Sequence, residues 1–172
     1  MPFPDKYLRP DFIFGTFDEV TPKFCRENGI SAIISDIDNT LVTYDDAEPT
    51  PKVTSWILSL AEANVTVAFV SNNDHERVER FASVLGIPAF AKSGKPMTGG
   101  LERAMATLGS VKSETVLLGD QLLTDVMAAK RFGIRAIAVP PIKDKKTLFF
   151  KAKRLIEKPF MKRYLKEASE TK

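Results

Sequence analysis

The stretch Ser31–Val42, SAIISDIDNTLV, decides the fold. Its first half is a continuous apolar run that breaks into acid at Asp36, with a second acid at Asp38. A run of this kind suits a strand buried on both faces of a parallel sheet. The pattern recurs at Val65–Ser71 (VTVAFVS), briefly near Ala89–Ala91, at Thr115–Gly119 (TVLLG) and at Arg135–Val139 (RAIAV), which Pro140 and Pro141 stop. Helical patterns fill the intervals. Pro51 is placed to start one, with Trp56, Ile57 and Leu60 as its buried stripe and Asn64 helping to end it. Thr98 reads as the cap of another, which runs to Leu108 and stops at Gly109. Strands alternating with helices predict an α/β fold: a three-layer sandwich around a parallel sheet of about five strands.

At 172 residues, 44% of them hydrophobic, the chain is expected to form one domain over 1–172, with no repeat or low-complexity linker to divide it. Cys25 has no partner for an internal disulfide. One cysteine and one histidine cannot build a structural zinc site, so stability must come from packing, and a reducing, cytoplasmic setting fits. The opening MPFPDKYLRPDFIF does not read as a secretory signal. No apolar run approaches the roughly 18 residues of a membrane span. The net charge of +3 does not select a partner.

In open α/β sheets, ligands bind beyond the carboxyl ends of the strands. Here those ends are polar: Asp36, Ile37, Asp38, Asn39 and Thr40 after the first strand; Ser71, Asn72 and Asn73 after the second; Asp120 and Gln121, then Asp125, after the fourth. Lys95 lies in the loop after the third. Such an acidic cluster attracts a hard cation. Mg2+ favours oxygen ligands in octahedral array, which Asp36 and Asp120 can supply with a phosphate oxygen, supported by Asp125. With charge drained by the metal and a lysine, Asp36 can attack phosphorus and form an aspartyl-phosphate. Asp38 then serves as acid and base. Ser71 would hydrogen-bond the phosphoryl group and Lys95 neutralise it. Asn39, Thr40, Asn72 and Asn73 are further candidates for phosphate or substrate contact.

The ordered set DIDNTLV (36–42), SNN (71–73), the lysine of GKP (94–96) and GDQLLTD (119–125) resembles the four motifs of haloacid dehalogenase-type phosphatases. In detail it is similar to the capless, class III YqeG-type branch. The resemblance implies a Rossmann-like sheet, Mg2+ held by Asp36, the Asp38 main-chain carbonyl and Asp120, and phosphomonoester hydrolysis through an aspartyl-phosphate. It also extends to enzymes that dephosphorylate phosphatidylglycerophosphate.

Members of that superfamily often insert a cap domain after the first or second motif. Here 34 residues separate Asp36 from Ser71 and 23 separate Ser71 from Lys95, too few for a folded cap. An open site suits a phosphate carried on something large, such as a lipid or macromolecule, although an oligomeric lid over a small substrate also fits. Beyond the motif core, about 31–140, lies a basic tail, about 143–168. Between Lys143 and Lys166 it carries ten Lys or Arg against Asp144 and Glu157, with Leu148, Ala152, Leu155 and Ile156 at helical spacing. Two readings stay open: peripheral contact with an anionic membrane, or a helix packed on the domain with its lysines in water. Pro159 is expected to interrupt any single long helix.

Other residues read more plainly. His75 falls in the first turn of the helix after the second strand, which Asn72 and Asn73 are placed to cap. Cys25, in TPKFCRENG, reads as a half-buried thiol on a short helix, and Asp45 and Asp46 as solvent-facing charge. Rival functions are a receiver domain, disfavoured because Lys95 precedes Asp120, and a weakly active module binding RNA, a ribosomal component or protein. No stable nucleic-acid complex is expected, and the substrate, the oligomeric state and the role of residues 1–28 stay open.

Overall fold

The computed structural model describes residues 3–143 and 148–170. In chain order these form α1 (Phe3–Leu8), β1 (Phe12–Ile13), α2 (Pro22–Glu27), β2 (Ala32–Ser35), α3 (Pro51–Glu62) and β3 (Thr66–Val70). There follow α4 (His75–Leu85), β4 (Ala89–Phe90), α5 (Gly99–Leu108), β5 (Thr115–Gly119), α6 (Met127–Phe132), β6 (Arg135–Ala138) and α7 (Leu148–Glu170). The sheet order is β1-β6-β5-β2-β3-β4 and each pairing is parallel.

The expected Ser31 strand is β2, at the centre of the sheet and buried along its length. Successive side chains of a strand point to opposite faces. Accordingly Ile33 joins a core with Trp56, Leu60, Phe69 and Phe81, while Ile34 joins another with Leu101, Leu117, Ala136 and Tyr164. Each fully buried Leu, Ile or Phe contributes roughly 1.5–3 kcal/mol, and helices on both faces supply the cover. The register sets Ser35 beside both Phe69 and Leu118. That alignment brings the carboxyl ends of β2, β3 and β5 to one edge, as the three-layer α/β expectation requires.

Local signals explain most helix ends. Thr50 accepts a hydrogen bond from the Val53 N–H ahead of Pro51, and Asn64 closes α3 at φ 59°. Gly109 ends α5 in the left-handed region. Thr98 holds the N-cap position of α5, as expected, but its hydroxyl donates to Glu102 Oε1 at 2.9 Å and accepts no helix N–H.

One further expectation is extended and three are corrected. The sheet has a sixth strand, because Phe12 and Ile13 pair with Ile137 and Ala138 and so cover the β6 edge. Two residues are too few to show a periodicity. Cys25 is wholly buried instead of half-buried, and burial pushes its thiol up to about 11. Pro159 does not end α7. An internal proline costs a helix roughly 3 kcal/mol, so side chains anchored on either side must hold it. Before it, Glu157 accepts from the Leu123 N–H at 2.8 Å; after it, the Tyr164 hydroxyl donates to Asp5 at 2.8 Å. The packed face is also not the expected one. Leu155 is 74% exposed and Ile156 55%, whereas Glu157 and Tyr164 are buried. Residues 144–147 of the basic tail lie outside the described residues.

Candidate active site

Beyond the ends of β2, β3 and β5 lies a polar pocket of about 170 Å3 lined by Asp36, Asp38, Ser71, Asn72, Asn73, Lys95 and Asp125, with Tyr44, Gln121, Thr124 and Lys153. Asp36 continues the central strand, its N–H bonded to the Leu118 carbonyl at 2.9 Å. The Lys95 ammonium sits 2.9 Å from Asp36 Oδ1 and 2.7 Å from Asp125 Oδ1, with only 2% of its side chain exposed. Carboxylate oxygens of Asp36, Asp120 and Asp125 lie within 4.8 Å of one another.

Burial pushes the Asp36 carboxyl well above the usual range; Lys95 pulls it back, and the charges of Asp125 and Asp120 push it up again. Burial also raises Asp120, with Asp125 adding to it and the Arg154 guanidinium opposing. Burial works against the charge of Lys95, but Asp125 and Asp36 hold its pKa well above the ordinary lysine value. Three buried carboxylates crowded together are most stable with a cation among them. An all-oxygen donor set is what Mg2+ takes, so Asp36, Asp120 and Asp125 fit that ion.

The loop geometry follows from particular residues. A Cβ on Gly119 would lie 2.4 Å from Asp125 Cβ, so only glycine lets Asp125 fold back over the strand end. Asp125 sits in a π-helical turn, Leu122–Val126, and accepts from the Gln121 N–H at 3.0 Å. Such turns are frequent at functional sites. The Thr40 hydroxyl donates to Asp120 Oδ1 at 3.3 Å. Ser71 Oγ accepts from the Asn73 N–H at 3.0 Å.

Several expectations need revising. Asn39 and Thr40 do not line the pocket. Asn39, at φ 65°, accepts the N–H groups of Ile142 and Lys143 and so anchors the loop after β6. The Asp38 carboxylate stands outside the acidic trio, because Arg77 holds one of its oxygens and Asn73 the other. Asn72 does not cap α4; its side chain accepts from the Lys95 N–H at 2.7 Å and donates to the Lys95 carbonyl at 3.0 Å, fixing the lysine loop. The α4 cap is Asp74, which accepts from the Arg77 N–H. His75 is an exposed first-turn residue, as expected. Asp45 is exposed and pairs with Lys143, whereas Asp46 accepts from the Thr43 N–H and hydroxyl.

Arg77, Tyr44, Arg154 and Glu157 are, with Lys153, neighbours of the site that the motifs do not name. Arg154, on α7, pairs with the Asp120 carboxylate and donates to its carbonyl. Burial, with the charges of Asp36, Asp38 and Asp120, raises the Tyr44 hydroxyl far above the usual range and keeps it protonated. Glu157 carried a signal, as one of two acids among ten basic residues of the tail. For Arg77 and Arg154 no spacing rule exists, since the fold alone brings them to the strand ends.

A family profile described as haloacid dehalogenase-like hydrolase matches residues 10–133. The chain belongs to that family. Its ordered acids, serine and lysine therefore stand in a hydrolase, and the receiver-domain reading falls away. Among its relatives is the probable phosphatase YqeG of Bacillus subtilis (strain 168), 38% identical over 137 residues, covering 80% of each chain. Another is phosphatidylglycerophosphate phosphatase 1, chloroplastic, of Chlamydomonas reinhardtii, 28% identical over 66% of this chain and only 46% of that protein. The fold is shared with a subfamily III A hydrolase structure from Legionella pneumophila, at a TM-score of 0.51 and 19% identity, covering 71% of this chain and 72% of that one.

Proposed function

We propose that this hydrolase is a Mg2+-dependent phosphomonoesterase that works through an aspartyl-phosphate on Asp36. The observation that carries the reading is the buried Lys95 ammonium bridging Asp36 and Asp125 beside Asp120. Such a cluster can bind a divalent cation and a phosphoryl group together.

Asp36 attacks phosphorus while the ester oxygen leaves with a proton from Asp38. Water then attacks the phosphorus of the acyl phosphate and gives its proton to Asp38, freeing inorganic phosphate and Asp36. The Lys95 ammonium and Ser71 hydroxyl hold the non-bridging oxygens, where negative charge is greatest. Asp36, Asp120 and the Asp38 main-chain carbonyl would hold Mg2+, with Asp125 in support. When bound, the ion neutralises charge on the phosphoryl oxygens.

The substrate we favour is a lipid phosphomonoester, met at an anionic membrane surface from the cytoplasmic side by a capless, single-domain enzyme. Two features support this. The intervals between motifs hold one helix and one strand each, so the pocket is open. Arg154, which pairs with Asp120, also lines a groove of about 590 Å3 with Pro140, Pro141, Leu155, Met161 and Leu165, where Lys151, Lys158 and Lys162 outnumber the single acid Glu157. Apolar surface ringed by lysines is the chemistry of an amphiphile's tail beside anionic headgroups. No described helix is long and apolar enough to cross a membrane. The relative named phosphatidylglycerophosphate phosphatase points to a specific lipid.

The test is hydrolysis of p-nitrophenyl phosphate with and without Mg2+, by wild type and Asp36→Asn, followed by phosphatidylglycerophosphate in anionic vesicles. Mg2+-dependent turnover lost in the variant supports the phosphatase, and preference for the vesicle substrate supports the lipid. Turnover unaffected by chelator or by Asp36→Asn would overturn the first reading. Indifference to the lipid would overturn the second alone.

A further inference from the structure

Arg77 lies in the first turn of α4, outside every motif that names the site, yet its side chain is only 15% exposed. Its Nε and Nη2 donate to Asp38 Oδ1 at 3.2 and 2.9 Å. Nη2 also donates to the Thr43 carbonyl at 3.2 Å, and Nη1 donates to the Asp46 carbonyl. On the other side, Asn73 Nδ2 donates to Asp38 Oδ2 at 3.0 Å. One planar fork thus joins the candidate acid/base, which is 4% exposed, to two carbonyls of the loop that carries Tyr44 over the pocket.

A guanidinium offers five N–H donors in fixed geometry, whereas an ammonium offers a single charged centre on a flexible stem. The fork spreads its donors over three nitrogens and so spans a carboxylate and two carbonyls at once, whereas the three donors of an ammonium radiate from one nitrogen. The arrangement differs from that of Lys95, whose ammonium faces the nucleophile. A carboxylate that must hand a proton to a leaving oxygen has to lie within hydrogen-bond reach of it, and small misplacement is costly.

We propose that Arg77 is the positioning residue of this site: it clamps the 43–46 loop and fixes the Asp38 carboxylate for proton transfer to the leaving group. The proposal rests on the phosphatase reading, with Asp38 as acid. Acid help matters most when the leaving oxygen is strongly basic. An alkyl phosphate needs that proton; p-nitrophenyl phosphate departs largely without it.

The experiment compares wild type, Arg77→Gln and Arg77→Lys on p-nitrophenyl phosphate and on a short alkyl phosphate, with thermal melts to confirm folding. A positioned general acid supplies roughly 10²–10⁴ in rate. Arg77→Gln should lose roughly 10–100-fold of that in kcat on the alkyl ester, and less than about threefold on the aryl ester. Arg77→Lys should recover only part, since it lacks the fork. Equal losses on both esters, or no loss on either, would overturn the proposal. A second readout needs no turnover: amide hydrogen exchange over residues 43–46 should quicken in Arg77→Gln, and an unchanged rate would overturn the clamp. If wild type hydrolyses neither ester, the clamp is decided by exchange alone, and the phosphatase reading fails only if phosphatidylglycerophosphate is not hydrolysed either.

Discussion

Gly119→Ala gives a sharp probe of how the acidic cluster is held. The backbone at 119 is not left-handed, so alanine meets no conformational objection; the obstacle is space. Its Cβ would lie 2.4 Å from Asp125 Cβ and Cγ and 2.5 Å from Oδ2, where ordinary contact begins at 3.4 Å. About 1 Å of movement is therefore required, and Asp125 must make it. Moving Asp125 breaks its 2.7 Å contact with the Lys95 ammonium and its 3.0 Å bond from the Gln121 N–H. Overpacking of this kind costs roughly 1–3 kcal/mol. For a chain of this size each kcal/mol lowers Tm by roughly 2–4 °C. Displacing Asp125 from its proposed support of the metal ligands should weaken metal affinity by roughly 10–100-fold. Calorimetric titration with Mg2+ and a thermal melt read both effects. Gly99→Ala is the control, since its nearest neighbour would be the tip of Arg103 at 3.7 Å, and it should change neither. Wild-type metal affinity in a folded Gly119→Ala protein would refute the reasoning.

Two other substitutable or reactive positions carry expectations of their own. Lys95→Met leaves Asp36 and Asp125 facing each other without their shared cation. Urea unfolding should show a loss of roughly 3–5 kcal/mol that Mg2+ partly restores, and an unchanged midpoint would contradict the buried bridge. Cys25, 0% exposed, should resist thiol reagents until the protein unfolds. Its folded-state pKa is raised to about 11, so the folded state holds the proton more tightly. The associated stability is complete below the ordinary thiol value and is lost as pH climbs through about 11. Labelling of native protein at neutral pH, at the rate of an unfolded peptide, would refute the burial.

The central strands were legible because burial on both faces writes a continuous apolar run, as in AIIS and TVLLG. The acids were legible because they follow those runs at the edge where such sheets bind ligands. The rest depends on contacts between residues distant in sequence. The edge strand Phe12–Ile13 exists because β6 offers it hydrogen bonds, and nothing local encodes that partner. Helix α7 passes Pro159 because Glu157 and Tyr164 are anchored on either side of it, a tertiary effect that outweighs propensity. Of the two readings of its apolar stripe, packing on the domain fails for the same reason: the face that docks is chosen by Arg154 and Glu157 binding the Asp120 and Leu123 backbone, leaving Leu155 outside. Asn39 and Thr40, adjacent to the acids, looked like substrate contacts. The backbone turns at Asn39, φ 65°, and sends both into structural roles.

Covalent attack by Asp36 is the step on which the proposed mechanism depends. The direct measurement is mass spectrometry of peptides from acid-quenched enzyme, taken during turnover of p-nitrophenyl phosphate with Mg2+. A phosphoryl group on Asp36, absent without Mg2+ and absent in Asp36→Asn, is the expected result. Sustained Mg2+-dependent turnover with unmodified Asp36 throughout, and with Asp36→Asn still active, would contradict it.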